Sequence, residues 1–297
     1  MSCSKNNIFS FLRMQESTFS SGSKFSAYSI MTVFGATLKS LSRVCTAAVI
    51  FIIYTMNAAA ISGSAGSKAV IETRRIVDMP TAGTAKKGDF SVYALFFGNA
   101  GLMLELSAAP AANLNLGISY SASEIISGNE PEFASLPGIH LKWRFIDETN
   151  NIPAILIGAQ TQGIGSYDKS SNRYETFSPG IFLALSKAFT WFAGESAAHC
   201  GIGYTFEQPD RDYKSPNYYF GIEQTLGAFM SINVEYNANL DDSDSKYISK
   251  KGLLSASLRC SLGGGVTVEL QARDLLQHRA APGGFQRFIA IEYVGGI

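Results

Sequence analysis

From Asp89 onward, apolar and polar residues alternate in runs of about ten, separated by stretches rich in Gly, Asn, Asp, Ser and Pro. A period of two sends successive side chains to opposite faces of a strand. Met230, Ile232, Val234 and Tyr236 share one face while Ser231, Asn233, Glu235 and Asn237 share the other, and Ile139, Leu141, Trp143 and Phe145 oppose His140, Lys142 and Arg144 in the same way. Twelve such runs occur, at 89–97, 101–108, 114–122, 138–147, 154–163, 180–189, 197–206, 217–226, 229–238, 253–262, 266–275 and 285–293.

Most of these runs reach the roughly 9 to 11 residues that a tilted strand needs to cross a bilayer. The connections sort by parity. Those after even-numbered runs are short, as in Gly227-Ala228 and Gly263-Gly-Gly265, and those after odd-numbered runs are long and polar, as in 123–137, 164–179, 207–216 and 239–252; Gly98-Asn-Ala100 alone breaks the rule. Hydrocarbon offers no hydrogen-bond partner, so a spanning sheet must close on itself, and an even strand count permits closure. The pattern predicts an all-β fold over 89–297, a closed up-and-down antiparallel transmembrane β-barrel of about twelve strands with both termini periplasmic. Tyr120, Trp143, Phe145, Tyr204, Phe206, Tyr218, Phe220, Tyr236 and Tyr293 fall near run ends, where interfacial girdles lie. The competing architecture is a soluble periplasmic barrel or sandwich around a ligand, which would turn the apolar face inward.

Composition narrows the field further. Charged residues make up 16% of the chain, with 24 Lys+Arg against 24 Asp+Glu, too few and too balanced for a disordered charged tail or an electrostatically driven nucleic-acid binder. No apolar stretch approaches the roughly 18 residues of a spanning helix. Lys39 and Arg43 precede the apolar run Val44–Met56, and Ala58-Ala59-Ala60 supplies the small residues of a cleavage site, so residues 1–60 read as a signal peptide with an N-terminal extension and Met31 as the true start. Residues 61–88 then form a periplasmic lead-in. Removing 1–60 takes away five bases and one acid and leaves a net charge of −4. Cys200 and Cys260 sit in separate strands and read as two thiols rather than a disulfide.

On this parity Glu105, Lys142, Arg144, Glu223, Glu235, Arg259, Glu269 and Arg273, with Glu292, face the lumen. They read either as a mutually paired network filling a narrow interior or as a mixed-charge pore lining for a polar, sugar-like solute. Lys142 and Arg144, two residues apart on one strand, are the candidate contact for an anionic solute. An enzyme would need a nucleophile beside a base. The three histidines, His140, His199 and His278, come with no G-x-S-x-G elbow, no metal-ligand spacing and no phosphate-cradling loop, although a lipid-modifying enzyme with a Ser/His pair at one rim fits the same sequence. Asp241-Asp-Ser-Asp244 lacks the Gly and terminal Glu of a calcium loop. No cofactor or metal is expected.

Val77-Asp-Met-Pro-Thr-Ala-Gly-Thr84, Leu114-Asn-Leu-Gly-Ile-Ser-Tyr120, Trp143-Arg-Phe-Ile-Asp-Glu-Thr149, Gln162-Gly-Ile-Gly-Ser-Tyr-Asp168 and Asp274-Leu-Leu276 resemble motifs of the YjbH-like exported bacterial β-barrel proteins, and the likeness runs from about residue 76 to Tyr293. The resemblance implies a Gram-negative outer-membrane barrel associated with exopolysaccharide production or export. Its expected partners are outer-membrane lipid, the barrel assembly machinery, and a polysaccharide or small polar solute, with no nucleic acid. The chain departs from the usual aromatic last residue by ending Tyr293-Val-Gly-Gly-Ile297, so either Tyr293 supplies that assembly signal from inside the terminus or assembly differs.

Overall fold

The computed structural model describes residues 72–192, 194–207, 215–227, 229–280 and 283–296; the expected signal peptide at 1–60 and the start at Met31 lie outside the described residues. Fifteen strands follow in order: β1 (Asp89–Phe97), β2 (Gly101–Ala111), β3 (Leu114–Ser123), β4 (Glu132–Phe133), β5 (Gly138–Ile146), β6 (Ala154–Gln160), β7 (Ile164–Asp168), β8 (Arg173–Thr176), β9 (Gly180–Trp191), β10 (Gly194–Tyr204), β11 (Asn217–Leu226), β12 (Met230–Asn237), β13 (Leu253–Gly263), β14 (Val266–Arg273) and β15 (Gln286–Gly296). All but β4, β7 and β8 form one closed antiparallel barrel of twelve strands. Closure comes from β1 pairing with β15, from Asp89↔Gly296 to Phe96↔Ile289. Each of the twelve sequence runs coincides with a wall strand, shifted by a few residues at most at either end. At the short-turn end Gly264 and Gly265 both have positive φ, 59° and 82°, a backbone whose twist matches that of the flanking strands.

Side-chain direction decides between the two barrel readings. In β12, Ser231, Asn233, Glu235 and Asn237 are buried, while Met230, Ile232, Val234 and Tyr236 are exposed. The same inversion recurs at Leu104 and Leu106 of β2 and at Ile118 of β3, all exposed outward. All nine aromatics of the expected girdles are exposed. Tyr120, Tyr204, Phe206, Tyr218, Phe220 and Tyr236 lie towards the long-loop end, and Trp143, Phe145 and Tyr293 towards the short-turn end. A wall that turns its apolar side chains outward and buries its polar ones is built for lipid, and a soluble barrel requires the reverse.

The interior departs from an all-polar lining most extensively around β1. Tyr93, Leu95 and Phe97 of β1, Met103 of β2, and Phe288 and Ala290 of β15 form a buried apolar cluster that receives Ile164 of β7. This patch seats the β7–β8 hairpin, which belongs to the long connection between β6 and β9. Residues 72–85, within the expected lead-in at 61–88, run among the inward-facing side chains of the barrel. Ile76, Val77, Met79, Thr81 and Ala82 are almost wholly buried there. The physical reason lies in the interior itself, whose charges and hydrogen-bonding groups need partners that a dry lumen cannot supply. The segment brings both charge signs and the buried apolar side chains of Ile76, Val77, Met79 and Ala82.

Candidate functional site

The inner segment turns back on itself between Arg75 and Pro80, with Ile76 N–H donating to the Met79 carbonyl (2.9 Å) and Thr81 N–H to the Arg74 carbonyl (3.2 Å). The tip of this turn aims three consecutive backbone N–H groups, those of Val77, Asp78 and Met79, at one oxygen of Glu235, at 3.0, 2.9 and 2.9 Å. Such a concave set of amides is an anion cradle, filled here by a carboxylate from β12. Ile76 and Met79 pack on Tyr219 of β11. Room for Ile76 comes from Gly221, where a Cβ would lie 2.7 Å from two of its carbons. Ala82 packs among Ala154, Leu156, Phe182 and Ala184 of β6 and β9.

Of the charged residues expected in the lumen, Glu105, Arg144, Glu235, Glu269 and Arg273 are buried and Lys142, Glu223, Arg259 and Glu292 half-buried, and the inner segment engages most of them. Glu105 accepts from Arg75 Nη2 at 2.6 Å. Arg144 pairs with Glu72 at 2.7 Å and with Asp147 at 2.8 Å, and its guanidinium also donates to Asn113 at 2.8 Å. Arg273 is ion-paired with Asp78, and Glu292 with Arg74. Arg259 pairs with Glu269 at 3.2 Å and donates to the carbonyls of Arg75 and Ile76, both at 3.3 Å. Lys142 donates to the carbonyl of Arg74. Glu223 lies 3.8 Å from His199 Nε2. Lys142 and Arg144, the pair singled out for an anionic solute, are therefore committed to the chain's own backbone and to Glu72.

Two of the three histidines sit beside serines. His140 Nε2 is 2.7 Å from Ser119 Oγ, with Glu105 3.8 Å from Nδ1. His199 Nδ1 is 2.8 Å from Ser186 Oγ, with Glu223 on its far side. Both pairs lie inside the barrel rather than at a rim. Ser119 donates its proton to Gln162 Oε1 at 3.0 Å, so His140 meets the serine oxygen as a donor and not as the base that would activate it. Ser186 Oγ accepts from the Ala82 N–H at 2.9 Å and is covered by the inner segment. The cavity beside His140, lined also by Arg75, Asp78 and Lys142, measures about 20 Å³, space for one water and no substrate. His278 lies in the loop before β15, where its Nδ1 donates to the carbonyl of Gly252 at 2.7 Å.

Described loop residues at the long-loop end also hold one another. Arg173 of β8 is buried in a cage, bonded to Asp242 at 2.6 and 3.0 Å, with Phe177 and Tyr247 stacked 4.1 and 4.0 Å from its guanidinium. The acidic stretch Asp241–Asp244 thus receives an arginine. Next to it, burial and the neighbouring Asp242 carboxylate push Asp241 up to about 7. Burial also raises Glu207, which accepts the backbone N–H groups of Tyr174 and Ser178 at 2.9 and 2.7 Å. A larger cavity of about 120 Å³ remains in the short-turn half, among Arg74, Arg75, Arg259, Glu72, Glu269 and Glu292. The partners of these charges leave no trace in the strand alternation, because residues 72–85 show no periodicity.

No family model matches the chain, and no curated protein matches it. Among solved structures it is similar to the KdgM porin, at 11% identity over 69% of this chain and 98% of that one, with a TM-score of 0.43. It is similar to the NanC porin at 9% identity over 70% and 99% of the two chains, with a TM-score of 0.39. The outer membrane protein Omp33 of Acinetobacter baumannii is 8% identical over 72% of this chain and all of its own, also with a TM-score of 0.39.

Proposed function

We propose that the chain is a non-enzymatic outer-membrane barrel that passes a polar, saccharide-like solute, and that residues 72–85 hold it closed. The observation that carries this reading is the pairing of an outward apolar wall with an inward polar one whose charges are matched by a single continuous segment. A purely structural interior would be as stable with apolar packing, since buried ion pairs rarely outperform it. Ion pairs to a removable segment leave behind a water-compatible lumen once the segment departs. Export by a signal peptide cleaved after Ala60, insertion by the barrel assembly machinery and a role in exopolysaccharide production, as in YjbH-like proteins, complete the proposal. Planar-bilayer recording tests it. The mature protein should conduct little, and the same protein lacking residues 72–85 should conduct steadily. A folded deletion variant that never conducts removes solute passage from the account.

A further inference from the structure

The outward face of the wall dips across β1, β2, β3 and β5 into an open groove of about 640 Å³, the size class of a small-molecule site at about 300–1,000 Å³. Phe90 of β1, Ala108 of β2, Leu116 of β3 and Leu141 of β5 stand in one row of cross-strand partners, and Leu106 and Ile118 stand in the next. Ala108 offers a single methyl between a ring and a leucine, which makes the dip. Four adjacent strands at about 4.8 Å per step give it a breadth of roughly 14 Å. Ser91, Ser107 and His140 also border the groove, but their side chains point to the lumen, where they bond to Arg74 and Ser119. What the groove presents to the membrane is hydrocarbon.

Interfacial aromatics flank the groove near the short-turn end. Phe90 meets Tyr293 of β15 edge to face at 5.9 Å on one side, and Trp143 packs against Phe145 at 5.9 Å on the other; such rings mark the headgroup level. Just beyond Phe90, residues 86–89 make a tight turn seated on the end of β2. Gly88 N–H donates to the Ala109 carbonyl and Asp89 N–H to the Lys86 carbonyl, both at 2.9 Å. The turn leaves Lys86 and Lys87 exposed beside the groove, and neither has an ion-pair partner among the described residues. The flanking acids face elsewhere. Asp89 turns towards β15, where a Cβ on Gly296 would stand 3.2 Å from its Oδ1, and Asp147 bonds to Arg144 and Asn113 at 2.8 and 3.0 Å.

An apolar groove at the headgroup level beside two uncompensated cations is the complement of an anionic amphiphile. We propose that this face binds a glycerophospholipid with an anionic headgroup in the leaflet at the short-turn end, its phosphate on Lys86 and Lys87 and an acyl chain in the groove over Ala108. A second copy of the barrel docked on the same face would bring two lysine pairs together, and like charges oppose that. The site lies on the outside of the wall, so it goes beyond solute passage and does not depend on it. Because the turn at 86–89 joins the inner segment to β1, the lipid sits where that segment leaves the lumen.

Native mass spectrometry of the mature protein in detergent, with folding verified by heat-modifiable gel mobility, tests the site using dioleoyl phosphatidylglycerol as probe and dioleoyl phosphatidylcholine as zwitterionic control. Wild type should retain one phosphatidylglycerol, about thirtyfold more tightly than Lys86→Gln/Lys87→Gln, the contribution expected of two basic side chains at an anionic surface. Phosphatidylcholine binding should be indifferent to that change. Ala108→Phe fills the dip from its exposed side and should weaken both lipids about tenfold, as the loss of about two buried methylenes would. Equal affinity for the two lipids in wild type, or phosphatidylglycerol binding that ignores either variant, would overturn the proposal. So would a dimer that Ala108→Phe dissociates, because a second copy would then cover the groove.

Discussion

Replacing Glu235 by alanine removes the single acceptor of three buried backbone N–H groups, at 2.9 to 3.0 Å. Each buried donor left without a partner costs about 1–3 kcal/mol, and water entering the vacated volume recovers part of it. A net loss of roughly 3–5 kcal/mol for docking of the inner segment follows, a shift of about 10² to 10³ or more in the docked-to-released ratio. Glu235→Gln keeps a carbonyl oxygen at the same place but loses the charge, and should cost about 1–2 kcal/mol. Hydrogen exchange of the Val77, Asp78 and Met79 amides reads the effect directly. They should exchange slowly in wild type, faster in Glu235→Gln and fastest in Glu235→Ala, while wall amides of β12 and β13 keep their protection. Amides at 77–79 that exchange equally slowly in all three proteins would refute the cradle as the anchor of the segment.

Gly221→Ala should push Ile76 off Tyr219, because the new Cβ would stand 2.7 Å from Ile76 carbons and 2.9 Å from the Val234 carbonyl; a cost of about 1–3 kcal/mol in thermal unfolding should be relieved only in part in the Gly221→Ala/Ile76→Ala double variant, and a strictly additive pair would contradict the contact. Arg173→Leu strips the buried partner from Asp242 and should cost about 3–5 kcal/mol, seen as lost exchange protection across residues 164–178 without loss of the barrel; unchanged protection would show that the hairpin is held by its apolar seat alone. The mouth should also loosen with rising pH. The Asp241 carboxyl is protonated more readily when folded, because burial and Asp242 hold it near 7, so it does not oppose folding below the unfolded value of about 4 and opposes it increasingly as pH rises from there to about 7. Burial acts in the same direction on Glu207, and Asp168, lowered chiefly by its hydrogen bond to Lys246, pulls the other way only in strong acid. Exchange at residues 164–178, corrected for intrinsic rates, should be faster at pH 8 than at pH 5, and Asp241→Asn should flatten the difference. A pH-independent mouth would contradict the assignment.

The wall was legible because a lipid-facing strand must alternate strictly, and a slip of one residue would turn Val234 inward and Glu235 into hydrocarbon. Loop parity fixed the two ends for the same reason, since the turn of Gly264 and Gly265 can be short only where adjacent strands meet directly. The hairpin of β7 and β8 escaped because its strands are five and four residues long, below the length at which alternation is distinguishable from a polar loop. The inner segment escaped for a different cause. Its conformation is set by side chains distant in sequence, such as Glu235, Arg144 and Gly221, and leaves no local period. One signal was present, in Glu72, Arg74, Arg75 and Asp78 standing close together beside the apolar Ile76-Val77, just before a barrel whose inward charges lack partners within their own strands. The partners of the charges expected in the lumen lie on that segment, which alternation along the strands does not describe.

An outward-facing apolar wall encloses an interior filled by the chain's own residues. Nitroxide labels placed singly along 230–237 and 76–82, in a Cys200→Ser/Cys260→Ser background reconstituted in lipid, measure both halves together. Labels at 230, 232, 234 and 236 should be relaxed by dissolved oxygen and shielded from a water-soluble nickel chelate, while those at 231, 233, 235 and 76–82 should be shielded from both. Oxygen access in the opposite phase along β12, or free chelate access throughout 76–82, would contradict the account.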